Sequence, residues 1–70
     1  MSKLAHSNQQ TMDALEFKRI RHSLGLSLSQ MADAIGVEER TIRRYEDGTR
    51  AVGLPVQILL EYILEYGTLP

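Results

Sequence analysis

Seventy residues leave room for one small domain, and a chain without cysteine has neither disulfides nor thiolate metal sites to support it. The formal net charge of −1, from 8 basic and 9 acidic residues, gives no overall basic excess of the kind nucleic-acid binders usually carry. Charge is nonetheless segregated: seven of the eight basic residues lie between Lys18 and Arg50, whereas residues 51–70 carry only Glu61 and Glu65. Hydrophobic packing must hold this fold alone, which favours short helices joined by short loops.

The opening stretch, "MSKLAHSNQQTM", has no apolar block and is expected to be a flexible arm over residues 1–12, not a secretion signal. Residues 13–70 are expected to form the domain. No apolar run approaches the ~20 residues of a membrane span, and the absence of cysteine suits a reducing cytoplasm, which is the expected location.

Asp13 followed by Glu16 marks a helix start, and Gly25 suits the left-handed turn that ends it. Phe17, Ile20, Arg21 and Leu24 share one face of that first helix by their spacing. A second helix opens at Ser27, with Gln30 completing a capping box, and closes at Gly36. Leu28, Met31, Ala32 and Ile35 form its apolar stripe, where Met31 is core filler and not a special contact. The third helix runs from about Glu38 to Asp47 and stops at Gly48. After the loop "TRAVGL", Pro55 fits the first position of a fourth helix that ends at Gly67. The fold class is all-α, a compact bundle of four to five helices.

The third helix sorts its charges. At roughly 100° per residue, Glu39, Arg40, Arg43 and Arg44 fall on one side, and Ile42 and Tyr45 on the other. Glu38, Glu46 and Asp47 are expected away from the centre of the arginine display. Glu39 and Arg43, four residues apart, could simply form a solvated pair. The stretch upstream adds a different meaning. Ala32 permits close helix approach, Gly36 supplies a tight turn, and Ile42 and Tyr45 anchor the following helix with its outer face open.

The segment "LGLSLSQMADAIGVEERTIRRYEDGTR" resembles the helix-turn-helix core of the lambdoid phage repressor and Cro family, the XRE-type regulators. The resemblance covers about residues 13–50, and "GLPVQILLEYI" is similar to the closing helix of short members, including antitoxin-type regulators. It implies a transcriptional regulator, a repressor by preference, whose third helix enters the major groove of double-stranded DNA. Glu39, Arg40, Arg43 and Arg44 then stand at or beside base-reading positions. Arginine can bond guanine O6 and N7, and glutamate can accept from cytosine N4. Ser29, Gln30, Thr41, Thr49 and Arg50 are candidates for phosphate contact, with Thr41 and Thr49 equally suited to face solvent. Leu28 departs from the family pattern, standing where many members carry a phosphate-contacting glutamine. Asp47 departs too, placing a carboxylate near the expected phosphate.

Arg21 lies on an apolar stripe and Glu46 near the C-terminal end of a helix, each unfavourable alone. The resemblance implies that the two form a structural bridge. His6 and His22 lack carboxylate or thiol neighbours at ligand spacing, and Ser23, Ser27 and Ser29 lack a partnered base. No metal, no cofactor and no enzymatic activity are expected. On the last helix, Val56, Leu59, Leu60 and Ile63 suffice to close a core. Ile58, Tyr62 and Tyr66 form a second apolar row, joined by Leu69, that is either packed internally or a partner surface. The simplest partner is a second copy. The rival function is a protein-interaction module, such as an antitoxin-like subunit that binds a toxin through this helix.

Overall fold

The computed structural model describes residues 12–67. Four helices follow in order: α1 (Ala14–Leu24), α2 (Leu28–Ile35), α3 (Glu39–Asp47) and α4 (Leu54–Tyr66). Among the described residues the only extended pairing is an isolated antiparallel bridge between Met12 and Val52. The all-α expectation holds. The rest of the expected arm, with His6, and Thr68, Leu69 and Pro70 at the other end lie outside the described residues.

Local chemistry fixes the helix ends. Asp13 Oδ1 accepts from the Glu16 amide at 2.8 Å, starting α1. Ser27 and Gln30 form the full capping box: the Gln30 amide donates to Ser27 Oγ at 3.0 Å, and the Ser27 amide donates to Gln30 Oε1 at 2.9 Å. Gly36 (φ 76°) then turns the chain in the left-handed region while its amide and that of Val37 both donate to the Ala32 carbonyl. A side chain there would be strained, so this turn depends on glycine. Two boundaries differ by one residue from expectation. Glu38 is the residue before α3 and its side chain makes no cap bond. Gly53 precedes α4, which begins at Leu54 and holds Pro55 within its first turn. Proline is tolerated there because the first amides have no intrahelical acceptor.

The core collects one apolar side of each helix: Phe17 of α1, Met31, Ala32 and Ile35 of α2, Ile42 and Tyr45 of α3, Leu60 and Ile63 of α4, with Val52 from the loop. Phe17 and Tyr45 meet with ring centroids 5.1 Å apart and planes tilted by 60°, locking α1 to α3. Met12 packs against this core beside Val52, so it belongs to the fold and not to the arm. Its apolar side chain has a half-buried site to fill, which a polar neighbour sequence conceals.

One charged pair supports the same helix contact. Arg21 Nε donates to Glu46 Oε2 at 2.6 Å, and Nη2 to Oε1 at 3.1 Å. Arg21 Nη1 also donates to the Leu26 carbonyl at 3.0 Å. With side chains only 12% and 9% exposed, this is a bidentate, largely enclosed bridge. The bond to Glu46 raises the Arg21 pKa above its ordinary value, against the opposing effect of burial.

Candidate nucleic-acid interface

Buried Ile42 and Tyr45 fix the roll of α3 about its own axis. The opposite face is thereby turned outward, and Arg40, Arg43 and Arg44 are all exposed. Two of the three are not idle. Arg43 Nη2 donates to Glu39 Oε2 at 2.6 Å, and Arg40 Nε donates to Glu38 Oε1 at 2.9 Å. Both pairs stand in solvent, where such contacts contribute a few tenths of a kcal/mol up to ~1 kcal/mol and exchange readily for other partners. Arg44 forms no ion pair among the described residues.

Glu46 and Glu38 stand away from the arginine display as expected, and Asp47 does not. Glu46 turns inward to Arg21, and Glu38 sits at the head of the helix. Asp47 is exposed and, by helical spacing, on the same stripe as Arg40, Arg43 and Arg44, not away from it. Its carboxylate closes onto the following loop: the Thr49 amide and hydroxyl both donate to Asp47 Oδ1, at 2.9 and 2.7 Å. These bonds, the hydroxyl's first, hold Asp47 below its ordinary pKa of 3.8. The departure at Asp47 thus has a local structural reason, since it fixes the turn after α3. The Arg50 amide donates to the Arg44 carbonyl at 3.2 Å in the same turn, and the Arg50 side chain is exposed.

Ser29 and Gln30 are exposed on α2. Gln30 accepts the capping-box bond at its oxygen and keeps its side-chain amide nitrogen to donate to an external contact. The Thr49 hydroxyl is occupied as a donor by Asp47 and retains its acceptor lone pairs. Thr41 is half-buried at the flank of the display. Leu28, in place of a polar residue, is half-buried against the core, so it strengthens packing where it gives up a polar contact. One contributor escapes a reading of the third helix alone. Lys18 of α1 joins Arg21, Leu28, Arg43, Glu46 and Asp47 around an open groove of ≈ 470 Å³ between α1, α2 and α3. Its three-residue spacing from Arg21 is the signal that places it there.

A helix-turn-helix domain model matches residues 14–62, which takes in all four helices except the last turn of α4. The chain belongs to the helix-turn-helix domain family. Helices α2 and α3, joined through the short turn at Gly36, have the form of such a motif. A relative from Pyrococcus abyssi, named "Putative HTH-type transcriptional regulatory protein", is 35% identical over 77% of this chain and 17% of its own length. A relative of the same name from Archaeoglobus fulgidus is 42% identical over 54% of this chain and 12% of its own length. One from Pyrococcus horikoshii is 30% identical over 77% of this chain and 17% of its own. The helix-turn-helix chain therefore spans less than a fifth of the length of these relatives. No solved structure gives a significant match.

The second candidate surface lies on α4. Ile58, Tyr62 and Tyr66 are 57%, 47% and 71% exposed, and Leu54, Leu64 and Leu15 of α1 are exposed as well. The Tyr62 and Tyr66 rings meet with centroids 4.8 Å apart and planes tilted by 45°. Of the two alternatives for this row, packing inside the monomer is corrected: its side chains stand in solvent while Leu60 and Ile63 of the same helix are buried. Among the described residues no group of three or more His, Cys, Asp or Glu could hold a metal ion. No helix among them is long and apolar enough to cross a membrane.

Proposed function

We propose that this helix-turn-helix chain is a sequence-specific regulator of transcription that reads double-stranded DNA with α3 in the major groove. The observation that carries this is the rolled orientation of α3. Ile42 and Tyr45 are buried on one side, and Arg40, Arg43 and Arg44 are displayed on the other within the stretch that the family model matches. The names of the relatives support the same role. Arg40 and Arg44, with Arg43 and Glu39 beside them, are the base-reading set, and Ser29, Gln30, Thr41, Thr49 and Arg50 the phosphate-facing set. Action as a repressor and kinship to the Cro-like, XRE-type branch rest on the sequence resemblance. The site of action is the cytoplasm, where the DNA is, and the chain acts by binding and not by catalysis.

The working unit in this reading is a homodimer joined through α4. One motif reads too few base pairs to be selective, and a two-fold pair places two α3 helices in successive grooves ~34 Å apart. Four exposed side chains on one helix, Leu54, Ile58, Tyr62 and Tyr66, offer on the order of 500 Å². A stable interface needs ~800 Å² from each partner. The dimer is accordingly weak in solution and completed on DNA. The same exposed row supports the rival reading, an antitoxin-like module that holds a toxin or other protein on α4. Selection from a randomised duplex pool separates the two. Arg40→Ala or Arg44→Ala should cost ~1–3 kcal/mol at the preferred site and relax discrimination there, while Arg50→Ala weakens all sequences alike. Unchanged affinity in both α3 variants would overturn the groove assignment.

A further inference from the structure

We propose that Glu39 and Arg43 act as one reading unit for a single G·C base pair, their mutual bond setting where each side chain points. This rests on the DNA-reading function above and names what one part of that face reads. Glu39 opens α3 and Arg43 lies one turn later on the same side, so the two side chains meet with Nη2 to Oε2 at 2.6 Å. That bond uses one carboxylate oxygen and one guanidinium nitrogen. Glu39 Oε1 and the Arg43 Nε and Nη1 groups have no other partner among the described residues. The pair therefore presents an acceptor and a set of donors side by side. The major-groove edge of a G·C pair shows the complement, an N4 donor on cytosine next to the O6 and N7 acceptors of guanine.

The bond also biases where the arginine points, so part of its ordering is done before DNA arrives. A free guanidinium must be ordered from many rotamers, whereas one held by a carboxylate on its own helix arrives partly aimed. The neighbouring pair is built differently. Glu38 precedes the helix and Arg40 reaches back to it over two residues, so this pair is held from outside the helix and must open before Arg40 can bond a base. Glu39 is thus the acidic residue placed to join in reading, and Glu38 is the one that must let go.

The test is selection from a duplex pool randomised over 20 base pairs, run with the wild type, Glu39→Gln, Arg43→Met and the double variant. Circular dichroism checks that each remains helical. The wild type should enrich a G·C pair at one position of each half-site. Each single variant should lose roughly 10-fold of discrimination at that same position, and the double variant should lose no more than either alone. Loss at two different positions, or additive loss, would overturn the shared unit. So would a Glu39→Gln protein that binds every sequence more tightly with its preference intact, because the carboxylate would then act only as a charge. A wild type that enriches no sequence would instead remove the DNA-reading function itself, and this inference with it.

Discussion

Helices α3 and α4 meet the same core by opposite means. On α3 the buried positions are few and bracketed by charge, so the helix has one way to face: Ile42 and Tyr45 inward, the arginines outward. On α4 the core takes Leu60 and Ile63, yet apolar residues continue round to Ile58, Tyr62 and Tyr66 in solvent. A helix apolar on more than one face is ordinarily covered on more than one face. The difference separates two jobs. The charged face of α3 suits a polar, anionic ligand, while the outer face of α4 is the one the proposed dimer would cover.

Two isoleucines give the sharpest way to break this comparison. Ile42 is fully buried and Ile58 is 57% exposed, so the same substitution should have unlike effects. Ile42→Ala should destabilise by ~2–5 kcal/mol through lost burial and the cavity left behind. Ile58→Ala in dilute monomer should stay within about 0.5 kcal/mol of wild type. Urea unfolding of both variants decides it, and equal losses would mean that α4 is packed as tightly as α3.

The next effect concerns the charge that α3 hides. Removing Glu46 strands Arg21, whose guanidinium otherwise makes two bonds to the carboxylate and one to the Leu26 carbonyl. A fully enclosed pair loses ~3–5 kcal/mol when broken, and this one, open along one side, should lose roughly 2–3 kcal/mol in Glu46→Ala. Adding Arg21→Met should restore part of the loss, because no unpaired charge then remains. Strictly additive losses in that double-mutant cycle would dissolve the pairing.

A smaller effect tests the open face of α4. Ile58→Glu with Tyr62→Glu should leave the monomer folded while binding to the preferred site falls by ~10-fold or more, the share that two linked half-sites contribute. The expected site is a rough palindrome. Light scattering that finds the wild type monomeric at high concentration, both free and on DNA, would refute the dimer. The row would then belong to a different protein.

Much of this arrangement was legible in the residues because it is written in local signals. Asp13, Ser27 with Gln30, and the glycines after α1 and α2 each fix a boundary through bonds spanning three or four residues, and Gly48 ends α3 in the left-handed region. Where no such signal exists the boundary slips: Glu38 makes no cap bond, and Gly53 precedes a helix whose obvious marker is Pro55. The Arg21–Glu46 bridge was foreseeable because a charge on an apolar stripe demands a partner, and the family resemblance implied Glu46 as that partner. The Met12–Val52 bridge was not, since it joins residues 40 positions apart with no complementary chemistry to announce it. The Glu38–Arg40 pair escaped notice for a related reason. Residues two apart do not face each other on a helix, and these two meet only because Glu38 stands outside one. The Glu39–Arg43 pair follows from spacing, but whether it answers itself or a ligand is not written in spacing.

The smallest expected effect lies at the end of α3, where the comparison turns on one carboxylate. Asp47 shares the arginine stripe, and a free carboxylate there would oppose an anionic ligand. Its two bonds from Thr49 instead bind it to the turn and lower its pKa below 3.8. A lowered folded-state pKa stabilises the fold above the unfolded value, and that contribution disappears as pH falls through the folded value. The turn should therefore persist at pH 4 and loosen only in stronger acid. Asp47 is wholly exposed, so the change belongs to the turn and not to global unfolding. A proton-resonance titration of the Thr49 amide should give a midpoint below 3.8, and Thr49→Ala should move the Asp47 titration back up toward 3.8. If Asp47 titrates at 3.8 in both proteins, the carboxylate is free. The Glu-and-Asp content of this face would then weaken DNA binding directly, and Asp47→Asn would raise affinity for all sequences alike.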